Sequence, residues 1–252
     1  MLTRNPAKNI DEVIARLTDI IDISRQEPGR LGYFAALYRK VTTNVKQGIL
    51  NGRFEDGARM ESLDVNFANR YLEAYELHRK GEFPTVSWQV SFEAARHWRP
   101  LILQHLLLGI NAHINLDLGI AAVETSPGDQ LARLKQDFDM INRILADLVQ
   151  PLQDEIGEVS PWIGFLERTD PSDDAIINFS LDRARSSAWN FAVRLNSLGE
   201  NERIAEMKVR DLEISTLARL VYKPPGILLN LGMLAIRLRE SNDVSRVIDT
   251  LS

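Results

Sequence analysis

The chain has no cysteine and only four histidines among its 252 residues. Without thiols there can be no disulfide, no thiolate nucleophile and no cysteine zinc site, so any bound metal must be held by His, Asp and Glu. Charge of one sign is lacking as well. With 30 basic and 35 acidic residues interspersed, the net charge is −5, no basic stripe emerges, and nucleic acid is an unfavourable partner. The chain contains no GxGxxG, no Walker loop, no GxSxG and no HExxH, and no Ser or Thr sits in a motif that nominates a nucleophile. Aspartate-rich segments that bind diphosphate through magnesium are also missing. The nearest, DFD at 137–139, spaces its aspartates so that they diverge on an amphipathic helix, which predicts surface residues. The opening stretch MLTRNPAKNIDEV has no apolar segment of signal-peptide kind, which predicts a cytoplasmic protein.

What the sequence does have is helical periodicity. Apolar residues recur at three-and-four spacing over Asn9–Ser24, Leu31–Leu50, Asp56–Lys80, Val86–Trp98, Asp129–Val149, Ile176–Leu198, Glu202–Tyr222 and Ile227–Ile248. Pro151, Gly157 and Pro161 mark a break, Pro161–Arg168 has room for one or two helical turns, and DPSDD at 170–174 is a start signal. ILLNLGMLAI at 227–236 is too short to span a bilayer and should pack on the bundle. No alternation suggests strands, and no repeat or linker divides the chain. The reading is all-α: a single-domain multi-helix bundle of about ten helices over residues 1–252, arranged around a buried central helix at 101–123.

That central stretch, LILQHLLLGINAHINLDLGIAAV, is the longest apolar run. Its length would cross a membrane, but Gln104, His105, Asn111, His113, Asn115 and Asp117 within one span would be costly in lipid, and no second span exists to satisfy them. It therefore predicts a core helix with polar groups needing partners, not a membrane span. On a wheel of about 100° per residue, His105, His113 and Asp117 share one side, while Gln104, Asn111 and Asn115 take another. His113-x3-Asp117 can point a ring nitrogen and a carboxylate at one place. That spacing suits a structural hydrogen bond, a divalent metal such as zinc, or a metal-free acid/base pair, and the sequence leaves all three open.

Two neighbouring helices bear on the choice. Asp64 falls within the apolar stripe of Asp56–Lys80, where a carboxylate needs a partner, either a local salt bridge or the polar groups of the central helix. His78 lies near that helix's end, where a structural role is expected. His97, four residues after Glu93, points away from the Trp88–Phe92 side and is expected in solvent. If it turned inward, Glu93, His97, His113 and Asp117 would make a two-helix metal cluster.

With LDVNFANRYLEA at 63–74 and LILQHLLLGINAHINLDLGIAA at 101–122, the chain resembles an uncharacterised, all-helical bacterial family classed as a domain of unknown function. The resemblance runs from about Tyr33 to the C-terminal helix. It implies that Asp64, Asn69, Arg70, His105, Asn111, His113, Asn115 and Asp117 lie where that family keeps its polar residues, and it implies no activity. A weaker likeness, carried by His113 and Asp117, is to the zinc-dependent phospholipase C and P1-type nuclease superfamily. The four histidines and the Met1 start depart from that pattern.

These readings suggest a helical enzyme that hydrolyses a small apolar or lipid-like ester, with or without the help of a metal. His113 would be base or metal ligand, Asp117 its orienter or fellow ligand, Asp64 a second carboxylate and His105 an acid or substrate contact. Asn111, Asn115, Tyr71 and Arg70 would contact substrate. The competing expectation is a binding or interaction protein in which the same polar groups only hold helices together.

Overall fold

Several helices begin at side-chain caps. Asn9, Asp56, Ser180 and Asp243 each accept the backbone N–H three residues on, satisfying a donor the helix itself leaves free. The structure, a computed structural model, describes residues 5–27, 29–160 and 180–252. Among them are eleven α-helices and no strand. In order they are α1 Ile10–Gln26, α2 Leu31–Leu50, α3 Gly57–Lys80, α4 Val86–Ala95, α5 Ile102–Ala112, α6 Leu118–Thr125, α7 Gln130–Val159, α8 Leu181–Asn196, α9 Glu200–Tyr222, α10 Ile227–Arg237 and α11 Val244–Leu251. A π-helical turn, His113–Asp117, joins α5 to α6, so the central stretch is one rod, Ile102–Thr125.

That rod is the only described helix long and apolar enough to cross a membrane, and 89% of its apolar window is buried inside the protein. It feeds three apolar clusters. Ile102, Leu106 and Ala112 join α1–α4 and α11; Leu116, Leu118 and Ile120 join α7 and α8; Leu107 and Leu108 join α9 and α10. Close approach to the rod depends on two glycines. A Cβ on Gly109 would lie 2.5 Å from the Phe34 ring of α2, and one on Gly119 would lie 2.8 Å from the Ala188 carbonyl of α8.

The fold departs from the sequence reading in four places. Helix α7 continues through Pro151 to Val159. An interior proline costs roughly 3 kcal/mol, but Leu152, Ile156 and Val159 beyond it pack on the first cluster, and that burial keeps the chain helical. The last helix is two. Between α10 and α11 the buried Glu240 accepts from the Ile102 N–H at the start of the central rod and from Ser160 Oγ at the end of α7, which draws the chain out of helix before Asp243 caps α11. Helix α10 packs by one side only: Met233 and Ile236 are buried, whereas Ile227 and Leu228 are exposed. Asp137 is buried rather than on the surface, its carboxylate accepting from the Glu55 and Asp56 amides and from Arg59 at the start of α3. The stretches 161–168 and 170–174 lie outside the described residues.

Candidate functional site

The π turn carries the chemistry. Leu118 N–H donates to the His113 carbonyl, five residues back, which amounts to one extra residue wound into the rod. A wheel of constant angle drawn across the whole stretch therefore loses register at His113. Within the turn His113 Nδ1 lies 3.5 Å from Asp117 Oδ2, an electrostatic contact longer than a normal hydrogen bond.

Asp117 is held by other partners. Arg70 Nε of α3 donates to Oδ1 at 2.9 Å and Trp88 Nε1 of α4 to Oδ2 at 2.8 Å. Burial would push this carboxyl up, but Arg70, His113 and Trp88 together outweigh it and hold the group below its ordinary value, so it is ionised. It is a buried anion compensated by one cation and one indole N–H, joining α3, α4 and the rod.

His113 is enclosed by aromatic rings. Phe67 stacks on it at 3.5 Å between centroids and 7° between planes, and Tyr38 meets it edge-on at 4.4 Å. Neither ring nitrogen has a hydrogen-bond partner. Burial lowers its pKa, with Asp117 opposing, so the imidazole is neutral.

Beside His113 is a cavity of about 120 Å³, walled almost wholly by apolar side chains from α2, α3, the rod, α7 and α8. Its wall includes His113, Asp64, Tyr38, Phe67, Leu145 and Arg185. Asp64 Oδ2 and the Tyr38 hydroxyl are buried without a partner. Burial, and then the charge of Glu61, pushes the Asp64 carboxyl up to about 7. Near neutral pH the cavity therefore holds a carboxyl that can still carry its proton and an imidazole that has none to spare.

The structure thus brings Asp64 and His113 to one cavity, with Asp117 behind His113 and Arg70 behind Asp117. It does not bring the other candidates there. His105 lies in a separate pocket of about 10 Å³ with Tyr71 and Trp88, its pKa lowered to about 3 by burial and then by Arg30 and Arg237. Asn115 Nδ2 donates to Asn111 Oδ1, and Asn111 Nδ2 to the Ile214 carbonyl of α9, a helix-to-helix tie on another side of the rod. His97 is exposed and 3.2 Å from Glu93, and His78 rests against Phe92.

The donor set does not fit a metal. Both Asp117 oxygens already accept N–H groups, one of them cationic, and no cluster of three His, Asp or Glu side chains occurs among the described residues. The two-helix cluster of Glu93, His97, His113 and Asp117 does not form.

Residues 10–224 match a family described only as one of unknown function, DUF5995. The chain belongs to that family. No curated protein and no solved structure matches the chain, and nothing in the comparisons supports the zinc-enzyme likeness. The stretch matching DUF5995 includes every residue that lines the cavity and ends before α10.

Sequence reasoning missed two groups that matter to this DUF5995 chain. Trp88 reads as core by its spacing, and only the fold shows its indole N–H on Asp117. Arg185 reads as the polar face of its helix, yet it is buried at the cavity wall. The small residues Ala184 and Ala188, one before it and three after it, were the available signal that this side of the helix packs closely.

Proposed function

We propose that this protein binds a small apolar molecule in the cavity beside His113 and holds that molecule's polar group between Asp64 and His113. The observation that carries the reading is that two buried polar side chains from separate helices, each lacking a partner, line the same apolar space. A buried unsatisfied polar group costs about 1–3 kcal/mol, and a ligand hydroxyl or carbonyl would recover that cost. The cavity, about 120 Å³ and partly open, holds a body near the size of a benzene ring and lets a longer alkyl chain run out through its mouth.

A second reading, acid/base chemistry on the bound molecule, is favoured by one further feature. Asp117 stands 3.5 Å behind Nδ1 as an ionised group whose charge favours a proton on that nitrogen, which would leave Nε2 to take a proton from water while the protonated Asp64 gives one to a leaving group. Ester hydrolysis is the simplest reaction of that class. No step needs a metal, and His105, Asn111 and Asn115 have no part in it.

Melting of the full chain with octanol tests the binding reading. Octanol should raise the melting temperature of the wild type progressively with its concentration and leave Leu145→Trp, which fills the cavity, unmoved. A wild-type chain that no small alcohol or ketone stabilises would remove the proposal. Turnover of p-nitrophenyl butyrate that disappears in His113→Gln would separate catalysis from binding alone.

A further inference from the structure

Arg185 is 4% exposed, and none of its hydrogen bonds runs to a carboxylate. Its Nε donates to Asn142 Oδ1, its Nη2 donates to the Phe138 carbonyl at 2.5 Å, and the guanidinium lies 4.5 Å over the Phe138 ring. Among the described residues it forms no ion pair. The acids whose charge it feels, Asp139 and Asp182, are both exposed. Burial pulls its pKa down to about 10, still far above neutrality, so the charge persists. A buried cation is normally paired, because removal from water costs several kcal/mol that neutral acceptors repay only in part.

The contrast within the protein is direct. Arg59, partly buried, has Asp137, and Arg70 has Asp117. Arg185 instead faces the wall of the apolar cavity. Lys40 lines the same cavity, but its charge is met by Glu155. One uncompensated positive charge therefore remains beside an apolar space whose other polar groups, Asp64 and His113, are able to be neutral.

We infer that the ligand of this cavity carries a single carboxylate, seated against Arg185, in addition to the hydroxyl or carbonyl that Asp64 and His113 hold, with an apolar body between the two. This rests on the cavity being a ligand site, as proposed above, and names the ligand's class. A single buried cation balances a single anion. A phosphate monoester, with nearly two charges at neutral pH, would leave one uncompensated in an apolar surround. An Arg–carboxylate contact beside an apolar space is charge-assisted and offers two parallel N–H donors.

Calorimetric titration of the full chain with octanoate, octanol and octyl phosphate tests this. Octanoate should bind the wild type about tenfold or more tighter than octanol, and tighter than octyl phosphate. Arg185→Gln should bring acid and alcohol to within about twofold of each other by weakening the acid alone, and Arg185→Lys should keep the preference. Octanol binding as tightly as octanoate, octyl phosphate binding tightest, or an acid preference that survives in Arg185→Gln would overturn the inference and leave the cavity reading standing. Binding of none of the three would overturn both. Should Arg185→Gln fail to fold, the wild-type ranking decides alone.

Discussion

Asp64 should reveal itself through pH. Its carboxyl is pushed from an ordinary 3.8 up to about 7, so between those values the folded protein holds a proton that the unfolded chain has released. Stability from this group is therefore fully present below pH 3.8 and is lost as pH rises toward about 7. Asp64→Asn keeps the shape and removes the titration. It should match the wild type at acid pH and exceed it above neutrality by up to about 4 kcal/mol, read from denaturant unfolding across pH. A difference that stays constant with pH would show that Asp64 is ordinary. His113 and His105 run the other way: both are held neutral by burial, so their contribution is present above the unfolded histidine value of about 6.5 and is lost progressively as pH falls below it, for His105 down through about 3. Asp64 was legible in the sequence, because a carboxylate on an apolar stripe is conspicuous. Asp137 was not. The amides it accepts from belong to the start of α3, and spacing along α7 carries no information about which helix end will be placed there.

At the level of elements, periodicity and caps sufficed where local pattern and tertiary packing agree. Leu31–Leu50 is a helix over those residues, and Asp56 caps α3. They failed where packing overrides local preference, at Pro151 inside α7 and at Glu240, which interrupts the last helix to reach the start of the rod. The π turn was illegible for a related reason. His113–Asp117 carries no breaker, and what favours the extra residue is partners on other elements, such as Arg210 of α9, whose Nε donates to the Asn115 carbonyl at 3.1 Å. The close approach of α2 to the rod makes its own prediction. Gly109→Ala places a methyl against the Phe34 ring, which also contacts His113 at 5.6 Å. The variant should lose about 1–3 kcal/mol in denaturant unfolding through overpacking. A variant as stable as the wild type would mean that α2 is not packed this tightly on the rod.

Over the whole molecule, one rod serves three apolar clusters, and its charged and polar side chains take partners from the helices around it: Asp117 from α3 and α4, Asn111 from α9, Gln104 from the Val221 carbonyl at the end of α9. Most of the polar groups anticipated on that rod are therefore ties between helices. His113 and, around the cavity, Asp64 and Arg185 are not completed by their partners, and neither is His105 in its separate small pocket. What sets Asp64 and His113 apart is that, of the incompletely partnered groups, they face a cavity large enough for a ligand. The most direct test is the imidazole nitrogen spectrum of the four histidines in uniformly 15N-labelled protein, with His113→Gln assigning its own signals. Saturation with octanol or octanoate should shift the His113 nitrogens and leave the exposed His97 where it was. A ligand that stabilises the protein while His113 stays unmoved would contradict the account.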